Sequence, residues 1–450
     1  MSLLPAFEDL PGRHARLEAA WKRLDPTLRL PTQSIGRRYA VACVAVEITQ
    51  RCNLDCTLCY LSESSEKVKD VPVEVVFARL AKARETYGDG VSVQITGGDP
   101  TLRKRDELVA IVREAARLGL EPSLMTNGIR LTRDLAAELR SAGLMDVALH
   151  VDLTQERKGY PTEESLNALR SEYVERVRGL GLHVIFNTTV FDGNIREIPV
   201  LVRFFKEHAD VVGMASFQIQ ADTGRGVLHE RSDAITLQGV RRSLAEAAGT
   251  ELSWDALRVG HPDCNSLAFT LVADDRAIDL LRSRRLLVAI LRDLSDYRFA
   301  RNDAINATAE ALKLAWKKPR LAALFFANAA LLLARQGRGL WRARKGLKKL
   351  TFVIHNFMDA NQLVPERVSS CSFMVATDGG FVSMCAHNAA REAFIRRPLE
   401  VRTERGLRIW DPLTGQYVES VSRPLPAAAV LPSALSELPV STLPTAAGGR

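Results

Sequence analysis

The stretch Cys52-Asn53-Leu54-Asp55-Cys56-Thr57-Leu58-Cys59-Tyr60 decides how the rest of this chain is read. It follows a mostly apolar run, residues 41–49, that reads as a buried strand, so the three cysteines fall on a loop at a strand's C-terminal end. Asn53, Asp55 and Thr57 make that loop polar, which argues against three inert buried thiols. Three thiolates at C-x3-C-x2-C spacing can each take one iron of a four-iron cubane, leaving the fourth iron free for a small molecule. Zinc is the competing reading, but it ordinarily takes four ligands and the sequence has no second C-x2-C pair.

Outward from the loop, residues 39–220 alternate apolar β-branched runs with helical patterns. Six strands are expected, at 41–49, 91–96, 122–126, 147–153, 183–190 and 211–220. Helices at 74–86, 106–118 and 133–142 repeat apolar residues at three and four, as in Leu108, Ile111, Val112 and Ala115. Strand, helix, parallel strand, repeated, predicts an α/β fold, a partial six-unit (β/α) barrel of TIM type, with ligands at the C-terminal strand ends. After Gly226 the rhythm reads as ended, with a helix at 235–248 and a long helical region at 277–350. Residues 371–385 read as a hairpin around Asp378-Gly379, and residues 422–450 as a disordered tail. The expected divisions are 1–38, an extension; 39–230, the barrel; 231–350, helical and basic; 351–421, a cysteine-containing region; and 422–450.

The 450 residues are 46% hydrophobic and 25% charged, close to an ordinary globular protein. Residues 311–350 hold 11 basic and no acidic residues; taking these away from the net +8 leaves −3, which excludes a uniformly basic nucleic-acid-coating body. Glu8, Asp9, Arg13, Arg16 and Glu18 interrupt the N-terminus, so no secretory signal is expected and the chain is placed in the cytoplasm. Seven cysteines, four of them within 17 residues, suit metal or redox chemistry better than a disulfide framework.

The cysteine loop with its trailing Tyr60 resembles the signature of the radical S-adenosylmethionine superfamily. Gly97-Gly98-Asp99-Pro100, after the second strand, is similar to that family's glycine-rich motif, with Asp in place of the usual Glu. The resemblance covers residues 40 to 226. It implies a [4Fe-4S] cluster on Cys52, Cys56 and Cys59, with S-adenosylmethionine on the open iron. It further implies reductive cleavage to a 5′-deoxyadenosyl radical and an electron donor such as flavodoxin or ferredoxin. Cofactor contacts are implied for Tyr60, Gly97, Gly98, Asp99, Pro100, Thr126, Asn127, His150, Asp152, Asn187 and Gln218. Taken singly, the glycine pair also reads as a tight turn, Asn127 as a left-handed turn residue, His150 as a core histidine and Asp152 as a helix cap.

Cys43 reads as a small core residue. Cys371 and Cys385 fall opposite each other at the hairpin's open end, and with Cys264 offer three thiolates to an auxiliary cluster. Its fourth ligand is left among Asp, His261, His387, Asn388 and substrate, and a chance pair plus a lone thiol is the alternative. His261-Pro262-Asp263-Cys264, His355 to Asp359, Glu366-Arg367-Val368, Cys371, Cys385, Asn388, Gln218 and Thr223-Gly224-Arg225 together resemble the archaeal tetraether lipid synthase group. That likeness implies carbon-carbon bond formation between lipid alkyl chains, although no cysteine precedes Cys43 to build that group's rubredoxin-like site.

The basic segment surrounds an apolar run, 321–334, with 13 apolar residues in 14, too short to span a bilayer. It suits peripheral attachment to anionic headgroups, or else is a lid with a solvated basic face. A small-molecule or lipid substrate is therefore expected. The alternatives are a peptide maturase and an RNA-modifying enzyme, the latter disfavoured by the few aromatic residues beside the charges.

Overall fold

The computed structural model describes residues 12–62, 64–228, 231, 235–295, 313–342, 346–403 and 406–419. The six expected apolar runs form β1 (Cys43–Thr49), β2 (Ser92–Gly97), β3 (Glu121–Thr126), β4 (Asp146–His150), β5 (His183–Val190) and β6 (Val212–Ile219). Each is paired in parallel with the next. Helices Val73–Tyr87, Arg105–Arg117, Arg133–Ser141, Glu163–Val177 and Ile198–Glu207 make the crossovers. Their starts follow the capping chemistry of the sequence: Thr132 accepts from Leu135 N, and Thr162 and Ser165 form a reciprocal capping box.

Alternation along the strands separates two faces. Val44, Val46, Ile48, Leu149 and Phe217 join the core beneath the helices. Phe186 stacks there on Phe205 at 5.4 Å. The opposite, concave face carries Glu47, Thr96, His150, Asn187, Ser216 and Gln218, a polar band that an ordinary core would not tolerate without a ligand.

Beyond Gly226 the structure departs from the sequence reading. The sheet has eleven strands in the order β11-β10-β1-β2-β3-β4-β5-β6-β9-β7-β8. Strand β7 (Asn265–Ala273) pairs antiparallel with β8 (Arg276–Asp279), and β9 (Leu347–Asn356) continues the parallel set beside β6. The expected helical region 277–350 thus begins and ends in strands, with helices Arg284–Asp293 and Pro319–Arg342 between. Strand β7 buries Ser266, Ala268, Thr270 and Val272 and leaves Leu267, Phe269 and Leu271 half-buried, so its hydropathy does not alternate with its burial, and Lys348 and Lys349 disguise the start of β9. The expected hairpin is present as β10 (Phe373–Thr377) and β11 (Gly380–Ser383), joined through Asp378-Gly379, with β10 lying parallel to β1. A three-stranded sheet of β12 (Leu399–Thr403), β13 (Gly406–Asp411) and β14 (Gln416–Val418) was not anticipated; its Leu399 and Val401 pack on Val75. The expected tail, 422–450, and the acidic N-terminal residues Glu8 and Asp9 lie outside the described residues.

Candidate functional site

Three strand ends grip the cysteine loop. From β2, a Cβ on Gly97 would overlap the Thr49 carbonyl and one on Gly98 the Arg51 carbonyl, so glycine is required for this approach. Through it Gly98 N donates to Thr49 O at 2.9 Å and Asp99 N to Arg51 O at 2.8 Å. After β4, Thr57 N donates to Thr154 O at 2.9 Å. After β6, Gly224 sits at φ 57 with its Cα against the Cys59 and Tyr60 carbonyls, and Arg225 N donates to Cys59 O at 2.8 Å. The Tyr60 hydroxyl donates to Gly97 O at 2.5 Å.

Burial pushes the thiols of Cys52, Cys56 and Cys59 up, and Cys59 and Cys52 push Cys56 further. Leu61 N points at the Cys59 sulfur (3.4 Å) and Asn127 Nδ2 at that of Cys52 (3.9 Å), donors suited to thiolates. Deprotonating all three calls for a strong positive partner, the part a metal plays. Among the described residues no group of three or more His, Cys, Asp or Glu is placed to hold a metal ion. In a cubane each of the three sulfurs would take its own iron. On the concave face, Asn187 Nδ2 and Ser216 Oγ are buried without a hydrogen-bond partner, and they lie in register with His150. Thiols and orphaned polar groups together fit a cluster with a polar ligand beside it.

The other expected residues divide by partner. Asp99, 1% exposed, is engaged by the protein itself: it accepts from Thr101 N (2.9 Å), Thr126 Oγ1 (2.8 Å) and Asn127 N (2.9 Å), while buried Pro100 opens the turn between. Asn127 Nδ2 reaches Asn53 at 2.6 Å, tying β3's end to the loop. Asp152, fully buried, accepts from Thr154 N (3.0 Å) and Thr189 N (2.6 Å) and meets His150 Nε2 at 2.6 Å. Burial disfavours a charged His150, but Asp152 outweighs burial and raises its pKa. Gln218 is half-buried and pairs in register with His355.

Sequence reasoning missed Glu47, Gln50, Arg157 and Arg391. Arg391 lies 2.8 Å from Glu47 and 2.8 Å from Gln50, and its guanidinium covers the Tyr60 ring at 4.7 Å. Burial would raise the Glu47 carboxyl, yet Arg391 above all draws it down to about 2. Glu392 accepts from Ser64 (2.6 Å), so the C-terminal helices clamp the loop from above. Arg157 donates to Asn127 O at 2.8 Å. The legible signal was Glu47 itself, a charge inside an otherwise apolar strand.

Cys264 precedes β7, Cys371 precedes β10 and Cys385 follows β11, strands from the two ends of the sheet order. Asn265 Nδ2 donates to Ser372 Oγ at 3.3 Å, joining the neighbours of Cys264 and Cys371, and Met374 pairs with Ser383. Arg367 Nε donates to the Cys264 sulfur at 3.3 Å and Met358 N to that of Cys385 at 3.5 Å. His387, offered above as a fourth ligand, stacks on Phe394 and faces Glu47, and its Nδ1 is buried without a hydrogen-bond partner. A shallow cavity lined by Lys206, Asp274 and Lys348 opens at the opposite strand ends and holds none of these residues.

Residues 46–205 match the family model described as the Radical SAM superfamily. The chain is 30% identical over 187 residues to the 7,8-dihydro-6-hydroxymethylpterin dimethyltransferase of Methanocaldococcus jannaschii, covering 40% of this chain and 36% of that one. It is 30% identical over 167 residues to the PqqA peptide cyclase of Bradyrhizobium diazoefficiens, covering 36% and 42%. The crystal structure of Streptococcus suis SuiB bound to precursor peptide SuiA aligns over 46% of this chain and 45% of that one, at 17% identity and a TM-score of 0.38. The chain thus matches less than half the length of each of these relatives. The superfamily works with a [4Fe-4S] cluster and S-adenosylmethionine. The cysteine loop, the glycine pair and strands β2 to β5 fall inside the matched region, so residues 46–205 are the part of the chain that is similar to the radical S-adenosylmethionine superfamily, whose named relatives are enzymes.

Proposed function

We propose that this chain abstracts hydrogen from an unactivated carbon of a lipid alkyl chain and so enables a carbon-carbon bond to form. When bound, the cluster and S-adenosylmethionine supply a 5′-deoxyadenosyl radical. Cys52, Cys56 and Cys59 hold the cluster, and the backbone bonds from β2, β4 and β6 keep their loop from shifting. Asn187, Ser216 and Gln218 present polar groups to the nucleoside, while the His150–Asp152 pair offers a donor to its carboxylate or hydroxyls. Asp99 acts by fixing Thr126 and Asn127 in place. The sheet and the C-terminal clamp exclude water and stray hydrogen donors from the concave face.

The observation that carries the radical reading is the pinned three-thiol loop beside orphaned buried donors. The lipid reading draws on the exposed Trp316, Phe325, Phe326 and Leu331 within the basic segment, Trp316 being 90% exposed. No helix among the described residues is long and apolar enough to cross a membrane, so attachment would be peripheral, at the cytoplasmic face. A small iron-sulfur or flavin protein would deliver the electron. Anaerobic growth with and without the gene, followed by lipid mass analysis, tests the substrate: cross-linked chains are expected, and identical profiles would discard it. The second reading is peptide modification, favoured by the likeness to a peptide cyclase; it would stand if a peptide, and no lipid, took up the radical.

A further inference from the structure

Arg225 lies outside residues 46–205, yet the loop after β6 brings it onto the cysteine loop. Its backbone N donates to Cys59 O at 2.8 Å and to Leu61 O at 3.1 Å, and Leu61 N in turn points at the Cys59 sulfur at 3.4 Å. The backbone of Arg225 therefore fixes the turn that aims a donor at this thiol, whatever side chain it carries. The side chain adds a charge. Its Nη1 lies 2.7 Å from Asp55 Oδ1, unaligned for a hydrogen bond, and its Nη2 lies 3.9 Å from Glu66 Oε1. The partners meet different surroundings: the Arg225 side chain is 11% exposed and that of Asp55 83%. Water screens the carboxylate far more than the guanidinium, so the pair leaves a positive field on its protein side.

We infer that Arg225 is a positioning residue that sets the reduction potential of the loop cluster, its guanidinium favouring the reduced state through the Cys59 thiolate. Uptake of one electron from the donor adds one negative charge to a cluster held by thiolates, and a buried positive charge beside one of them favours that product. Burial pushes the Cys59 thiol up, while Leu61 N, then Arg225 and, more weakly, Arg391 pull it down. Arg391 covers the Tyr60 ring at 4.7 Å, but its counter-charge Glu47 is buried with it, 2.8 Å away, so its field is largely cancelled. Arg225 has no such buried counter-charge in its ion pairs, since Glu66 is exposed like Asp55. This assignment rests on the radical enzyme reading and adds to it what decides how strong a donor the cluster needs. The two ends of the Arg225–Asp55 pair then act in opposite directions. If the pair merely tied one loop to the other, breaking it from either end would have the same effect.

Wild-type and variant chains are reconstituted anaerobically with iron and sulfide, and their iron is counted. The reduced-cluster electron paramagnetic resonance signal is then followed in a potentiometric titration without S-adenosylmethionine. Arg225→Gln should keep the wild-type iron, because its backbone bonds remain, and should shift the midpoint to more negative potential. Arg225→Lys should recover most of that shift, and Asp55→Asn should move the midpoint the other way. Asp55 is exposed, so its variant folds in any case and carries the sign. With dithionite poised where the wild type is half reduced, Arg225→Gln should release 5′-deoxyadenosine several-fold more slowly, and an excess of titanium(III) citrate should abolish the difference. A loaded Arg225→Gln chain with the wild-type midpoint would overturn the inference and leave the three-cysteine cluster standing. So would Asp55→Asn moving the midpoint in the same direction as Arg225→Gln, or loss of iron from Arg225→Gln, which would make the side chain a structural tie. A wild-type chain that takes up no cluster would instead bring down the radical reading itself.

Discussion

Cys52, Cys56 and Cys59 occupy eight consecutive residues on one loop, whereas Cys43, Cys264, Cys371 and Cys385 arrive from four separate segments of the chain. The loop thiols are half-buried at strand ends and are held by backbone bonds from three neighbours. Cys264 and Cys371 are half-buried in the same way, whereas Cys43 and Cys385 are buried, Cys43 where β10 pairs with β1. A partly exposed loop suits a cluster that must exchange a small ligand.

That contrast yields expected outcomes that would break or sharpen it. Cys56→Ala should reduce 5′-deoxyadenosine release to background, and release at the wild-type level would remove Cys56 from the cluster. Next in size, Arg391→Ala leaves Glu47 buried and unpaired, an expected loss of about 3–5 kcal/mol at neutral pH. The Glu47 carboxyl is held at about 2 in the folded chain, below its unfolded value. Its contribution is therefore complete above pH about 4.5 and fades as pH falls toward 2, so wild type and Glu47→Gln should converge in acid denaturation. Gly224→Ala forces a side chain onto the Cys59 and Tyr60 carbonyls at positive φ, an expected loss of about 1–3 kcal/mol with emptying of the loop cluster, read by iron counting. Asp152→Asn removes the partner that raises His150, and about tenfold weaker S-adenosylmethionine binding is expected, the loss of roughly one charged hydrogen bond. In wild type this binding should weaken as pH rises through the His150 pKa, and His150→Gln should flatten that profile. The smallest effect belongs to the surface: Phe325→Asp with Phe326→Asp should weaken flotation with anionic vesicles while deoxyadenosine release stays unchanged.

The same contrast explains what could be read without coordinates. Strands β1 to β6 are mostly apolar runs separated by amphipathic helices, so their order and parallel pairing followed from local pattern, while the polar residues of the concave face were too few in each strand to disguise it. The cysteine loop was legible because its ligands are neighbours in sequence. Strands β7 and β9 were not, since small polar residues in the one and terminal lysines in the other resemble helical or loop composition. Arg391 was out of reach for another reason. Its partner, Glu47, lies more than three hundred positions away, and only the closure of β10 on β1 brings them together.

The central claim is that Cys52, Cys56 and Cys59 present a cluster able to cleave S-adenosylmethionine. Anaerobically reconstituted protein, given S-adenosylmethionine and dithionite, should release 5′-deoxyadenosine and methionine in equal amounts, and release should vanish in the Cys52→Ala, Cys56→Ala, Cys59→Ala chain. Iron-loaded wild-type protein that releases none, or a triple variant that releases as much as wild type, would contradict it.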